Sequence, residues 1–260
     1  RGGTKYLRMM LDEFDMIQEG IESGVTSPQV PENIRFLVQT YPRFSAILTG
    51  SLRLRRLRED YWSALFGLGT RIGVSSLSVE AARRLVTEPV KDRLAYSKEA
   101  VEHAIALTAG HPFLLQCLCN RIFDMAAQLK TRSVTLDMVD QVADILIDNN
   151  EHFASSWDDV GCGRKRFLLA LCHHEASSPD LFSFGIIREK LASHGIDIGE
   201  MDLIADLDSL RELELINLVG ELSSGHYALT IPLMGKWIER QHDFDVLKSR
   251  ARSETEYLHE

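Results

Sequence analysis

Tyr6-Leu7-Arg8-Met9-Met10-Leu11 is a mostly apolar run that stops abruptly on Asp12-Glu13-Phe14-Asp15. A buried parallel strand reads this way when it delivers carboxylates to a site at its C-terminal end. Phe44-Ser45-Ala46-Ile47-Leu48-Thr49 repeats the pattern further on and closes at Gly50-Ser51. Between the two, residues 19–30 are rich in Gly, Ser and Pro and read as a loop, and Pro31 to Tyr41 carries helical spacing through Ile34, Leu37 and Val38. Strand, helix and strand in that order form a crossover unit of a parallel sheet, which lines Asp12, Glu13, Thr49 and Ser51 along one edge. Ile72-Gly73-Val74-Ser75 reads as one more short strand, at which the sheet ends.

Beyond Leu77 the periodicity turns helical. Ser78 caps a run from Val79 to Thr87, Pro89 breaks it, Ser97 restarts it, Gly110 breaks it again, and Pro112 opens a long helix to about Leu129. Ser133 or Thr135 starts another, through Met138, Val142, Ile145 and Leu146, and the polar stretch Asp148 to Ser156 reads as a linker. After Gly161 come three helices, Arg164 to Ala176, Phe184 to Ser193 and Glu200 to Glu214, then strands Leu215 to Val219 and His226 to Ile231. Three helices and a hairpin follow the order of a winged helix-turn-helix. Pro232 opens a helix that packs back on the hairpin, and Ser249 to Glu260 is a charged tail.

With 45% apolar and 26% charged residues in 260, the chain buries two or three compact units. No stretch approaches the roughly 20 apolar residues of a membrane span, and no signal peptide precedes the first strand, so the expected location is cytoplasmic. Cys117, Cys119, Cys162 and Cys172 fit neither a zinc site nor a disulfide framework and are read as reduced thiols. A net charge of -9 argues against nonspecific attraction to nucleic acid or anionic lipid and leaves a protein partner as the expectation. The chain opens on Arg1-Gly2-Gly3 without an initiator Met and reads as part of a longer one.

Leu11-Asp12-Glu13-Phe14-Asp15 followed by Ile47-Leu48-Thr49-Gly50-Ser51 resembles the Walker B and sensor 1 strands of AAA+ and STAND ATPases. Thr108-Ala109-Gly110-His111-Pro112 resembles the Gly-x-Pro motif of the STAND lid, and Leu229-Thr230-Ile231-Pro232-Leu233-Met234 resembles the hairpin-to-helix ending of a winged helix in STAND-like and origin-recognition-like ATPases. The resemblance implies a fold class of α/β plus all-α: a partial parallel P-loop sheet over residues 1–76, a helical lid over 77–150, a winged-helix domain over 157–245 and a tail over 246–260. It implies ATP or ADP as ligand, with Asp12 on Mg²⁺, Glu13 on the attacking water, Thr49 or Ser51 as sensor, and Gly110, His111 and Pro112 facing the nucleotide. No Gly-x-x-x-x-Gly-Lys-Ser/Thr occurs in the sequence, so tight ATP binding by these residues alone is not expected.

Arg53, Arg55, Arg56 and Arg58 offer an arginine finger or, equally, a solvated helix face. His173-His174 and His111 lack the paired spacing of a zinc site. Between Glu200 and Glu214 six acids stand against Arg211 alone, which leaves -5 on the helix that a DNA reader would place in the groove. Arg188, Lys190, Lys236 and Arg240 are the remaining candidate phosphate contacts. The expectation is a nucleotide-dependent switch that controls self-association or a fused effector. The rival is an origin-recognition-like or transposition-type ATPase whose winged helix binds DNA.

Overall fold

The structure is a computed structural model that describes residues 5–14, 16–50, 69–70, 72–148, 150–174, 182–219 and 225–257. It divides into two units, residues 1–73 and 74–260.

In the first unit β1 (Leu7–Leu11) and β2 (Phe44–Leu48) run parallel with Leu7 opposite Phe44 and Leu11 opposite Leu48. α1 (Met16–Glu22) and α2 (Val30–Thr40) lie between them in sequence. Because side chains alternate across a strand, Met9, Leu11, Ala46 and Leu48 turn to one face, where they pack with the buried Phe14 and Ile34. Met10 and Ile47, partners in the register, turn the other way and are exposed, Met10 to 71%. The run read as a buried strand is therefore half-buried, and on one side only. There is no strand at residues 72–75, so the sheet is two-stranded among the described residues. α1 escaped the sequence reading because it is only 7 residues long and carries Gly20.

The second unit begins with α3 (Val79–Thr87), capped by the Ser78 hydroxyl, which accepts from the Ala81 N–H at 3.2 Å. A 3-10 turn follows at Glu88–Val90, then β3 (Ala95–Tyr96), α4 (Lys98–Thr108), α5 (Pro112–Gln128), β4 (Ser133–Val134) and α6 (Leu136–Asp148). β3 and β4 pair in parallel over two residues each, too short to show alternation in sequence. Of the stretch expected as a linker, residues 151–156 belong to α7 (Glu151–Val160), which Asn150 caps and which buries Phe153, Trp157 and Val160. α8 (Gly163–His174), α9 (Phe184–Ser193) and α10 (Glu200–Glu212) precede an antiparallel hairpin of β5 (Ile216–Val219) and β6 (His226–Leu229), and α11 (Pro232–Gln241) closes it.

The expected charged tail is instead α12 (Phe244–Tyr257). Its Leu247, Ala251 and Thr255 are buried, and it packs along α8. The Glu254 carboxylate accepts from the N–H groups of Gly163 and Arg164 at 2.8 and 2.9 Å, capping α8 from another element. One continuous core runs through this unit from Ala82 to Ala251. Among the described residues no helix is long and apolar enough to cross a membrane.

Candidate functional site

β1 and β2 end together, and their hydrogen bonding continues one step past the strands. The Thr49 N–H donates to the Leu11 carbonyl at 2.9 Å, and the Phe14 N–H donates to the Thr49 carbonyl at 2.8 Å. Phe14 is thereby turned back into the core while Asp12 and Glu13 stay on the exposed rim beside Thr49 and Gly50. Glu13 adopts a left-handed backbone with φ 49, a conformation that costs a non-glycine residue about 1–3 kcal/mol and persists where neighbouring bonds over-determine it. Here the flanking bonds do so. The Glu13 N–H also donates to Asp12 Oδ1 at 3.1 Å, and the Thr49 hydroxyl donates to the same oxygen. These donors, Thr49 first, hold the Asp12 carboxyl below its ordinary range. The result is an ionised, oriented carboxylate with a hydroxyl and a second carboxylate on one strand edge, which is a donor set for a hard, oxygen-seeking cation. Ser51 lies outside the described residues, as do Arg53, Arg55, Arg56 and Arg58.

The Gly-x-Pro turn is built by backbone geometry. α4 ends at Ala109 with φ 48, and Gly110 follows with φ 67. Gly110 accepts from the Leu77 N–H at 2.9 Å, and a Cβ there would stand 2.9 Å from the Leu77 carbonyl oxygen, so both conformation and space demand glycine. Pro112 then presets the first turn of α5. At this turn His111, which the resemblance turns toward a nucleotide, is half-buried with Nδ1 enclosed, while Phe113 is 54% exposed. Leu114 and Leu115, both fully buried, anchor the helix together with Leu118, Ile122 and Ala126. The His111 ring lies 5.7 Å from that of His152 on α7, and Phe113 lies 5.9 Å from the same ring. Burial, with His152 adding, holds His111 below the usual histidine range. Sequence reasoning missed His152 because α7 was read as linker; the Asn150 cap three residues before Phe153 was the available signal.

No protein-family model and no curated protein matches the sequence. Solved structures do. The Aeropyrum pernix ORC2 protein in its ADPNP-ADP complexes matches 94% of this chain at 15% identity with a TM-score of 0.59. A Walker-type ATPase of Pyrococcus abyssi matches 90% at 18% identity, also with a TM-score of 0.59. The chain has an AAA+ ATPase-like fold. At these identities the likeness concerns the fold alone, and the chain spans 65% and 63% of the two proteins, under two thirds of each.

Within this AAA+-like fold the candidate phosphate contacts are largely engaged. Asp140, Asp144 and Asp148 stand at i, i+4 and i+8 on α6 and face Lys236 and Arg240 at i and i+4 on α11. Lys236 lies 3.7 Å from Asp140, and Arg240 lies 3.2 Å from Asp144 and 2.9 Å from Asp148. His103 reaches Asp140 as well, at 2.7 Å. Arg188 lies 3.9 Å from Glu200. On α10, Asp206 is not on the outer face at all: it is buried and accepts from Arg164 Nε at 2.5 Å. Among the described residues no group of three or more His, Cys, Asp or Glu is arranged to hold a metal ion. The four cysteines are free, with Cys172 buried and its thiol pushed up to about 12 by that burial.

Proposed function

We propose that this chain is the part of a nucleotide-dependent AAA+ switch that follows the phosphate-binding loop. The single observation that carries the reading is the strand edge where Asp12, Glu13 and Thr49 meet, two donors converging on Asp12 Oδ1. In this reading Asp12 holds Mg²⁺ through water, Glu13 orients the attacking water, and Thr49 reads the γ-phosphate. The bound Mg²⁺ would neutralise charge on the phosphates. The donors on Asp12 keep it ionised for that task, and the constrained backbone at Glu13 sets the point on the rim from which its side chain leaves. Residues 77–150, which carry the Gly110-His111-Pro112 turn, serve as the lid, and residues 157–245 act as a winged-helix module that packs against it. The output is self-association or control of an attached effector.

The rival, a DNA-associated origin-recognition-like ATPase, meets two obstacles. Lys236 and Arg240 are neutralised by the α6 aspartates, and α10 carries acid where phosphates would approach. The test is calorimetric titration with Mg-ATP. The 260-residue chain should bind weaker than micromolar, and a longer chain carrying a phosphate loop ahead of residue 1 should bind at micromolar or tighter and lose its Mg²⁺ dependence in Asp12→Asn. Micromolar binding by the 260 residues alone, or an unchanged Mg²⁺ dependence in Asp12→Asn, would count against the proposal.

A further inference from the structure

We infer that α7 is an acid-sensitive strap: neutral histidine rings join one of its ends to the turn before α5 and the other to the end of α11, and it is released when those rings take up protons. The inference concerns the second unit and does not depend on nucleotide binding. α7 lies between two turns. The Asn150 side-chain oxygen accepts from the Phe153 N–H at 3.3 Å, and the helix ends at Gly161, whose φ of 79 favours glycine. In its first turn the His152 ring stands 5.7 Å from that of His111 and 5.9 Å from Phe113. In its last turn Trp157 stacks on His242 at 4.3 Å, and Trp237 closes on both rings, 6.0 Å from Trp157 and 5.2 Å from His242.

Two of these rings carry a nitrogen that the fold encloses. His111 Nδ1 and His242 Nε2 are both shut off from solvent and have no hydrogen-bond partner among the described residues. A neutral imidazole donates from one nitrogen only, whereas the cation donates from both and needs an acceptor at each. The charges that bear on the rings oppose the cation as well. Arg166 of α8, which lies 5.3 Å over the Trp157 ring and donates to the Trp157 carbonyl at 3.2 Å, acts on His242 together with Arg250 of α12, and His152 acts on His111. The nearby acids are engaged elsewhere: Asp158 lies 3.7 Å from Arg166 and is 83% exposed, and Asp243 accepts from the Val246 N–H at 3.0 Å. A cation at His242 would gain from the Trp157 face, but burial, the leading cause at both rings, and the two guanidinium groups outweigh that gain and hold both histidines below their usual range. Proton uptake therefore favours the state in which the rings reach water. The grip on α7 is complete above the ordinary histidine range and is lost as pH falls through the lowered folded values.

The test is hydrogen exchange of the 260-residue chain at pH 7.5 and 5.5, read by mass spectrometry with rates scaled for the chemical effect of pH. Protection of residues 154–160 should fall by about fivefold or more relative to residues 167–174 in α8 and 248–257 in α12, because proton uptake drives a local opening. His111→Phe/His242→Phe keeps a ring at both ends and takes up no proton there, and it should bring that ratio to within about twofold of unity. His111→Gln and His242→Asn, made singly, repeat the test should the double variant lose its circular dichroism, and each should lower the ratio. No fall in protection, a fall shared equally by the three helices, or a fall of unchanged size in the variants would overturn the proposal.

Discussion

Arg164 and Asp206 form the most buried ion pair among the described residues, with side chains 13% and 5% exposed. An ion pair held this deep contributes little against an apolar replacement, but losing one partner strands the other. Asp206→Asn or Arg164→Met should therefore cost on the order of 3–5 kcal/mol in urea unfolding of the second unit, while the joint change Arg164→Met/Asp206→Leu recovers most of the loss. Equal destabilisation by single and joint changes would contradict the pairing. His111, His152 and His242 are each held below the ordinary value of 6.5, chiefly by burial. Their folded forms bind fewer protons than the unfolded chain, so the stability they contribute is complete above pH 6.5 and is lost as pH falls through the lowered folded values. Melting temperature should drop between pH 7.5 and 5.5, and less so in His242→Asn, whose ring stacks on Trp157 at 4.3 Å. A melting temperature that is flat across this range would refute the assignment.

At the scale of elements, α5 and α12 make opposite points about what a sequence discloses. Leu114→Ala or Leu115→Ala should cost about 2–5 kcal/mol by opening a cavity where both side chains are fully buried, whereas Phe113→Ala should cost far less. Comparable losses at Phe113 and Leu114 would contradict the packing described. The start of α5 was legible because Gly110 and Pro112 act through the local backbone. The direction of His111 and Phe113 was not, since it depends on His152, far along the chain. α12 was hidden for a related reason. Its charged residues suggested a solvated tail, and only the fold brings Glu254 to the bare N–H groups of α8. Glu254→Ala should destabilise the second unit by roughly 1–2 kcal/mol, the usual range for a lost helix cap, and Glu254→Gln by less. No change on chemical denaturation would return α12 to the status of a tail.

For the whole molecule, the strand edge and the helices opened by Ser78, Ser97, Pro112 and Pro232 could be read from apolar runs and punctuation, because those signals are local. The engagement of Lys236 and Arg240 by Asp140, Asp144 and Asp148 could not, because the partners lie on separate helices. That engagement carries a prediction: the chain should leave heparin at low salt, and Arg240→Ala should barely alter its elution. Strong retention lost in Arg240→Ala would favour the DNA-associated rival. The claim at the centre of the account is that Asp12, Glu13 and Thr49 form the working edge of an ATPase. It is tested most directly by steady-state ATP turnover of Glu13→Gln in a longer chain that carries a phosphate loop ahead of residue 1. The account predicts nucleotide binding within a few-fold of the unaltered chain and turnover lower by about 10²-fold or more, as expected when only the group that activates water is removed. Turnover equal to that of the unaltered chain would contradict it.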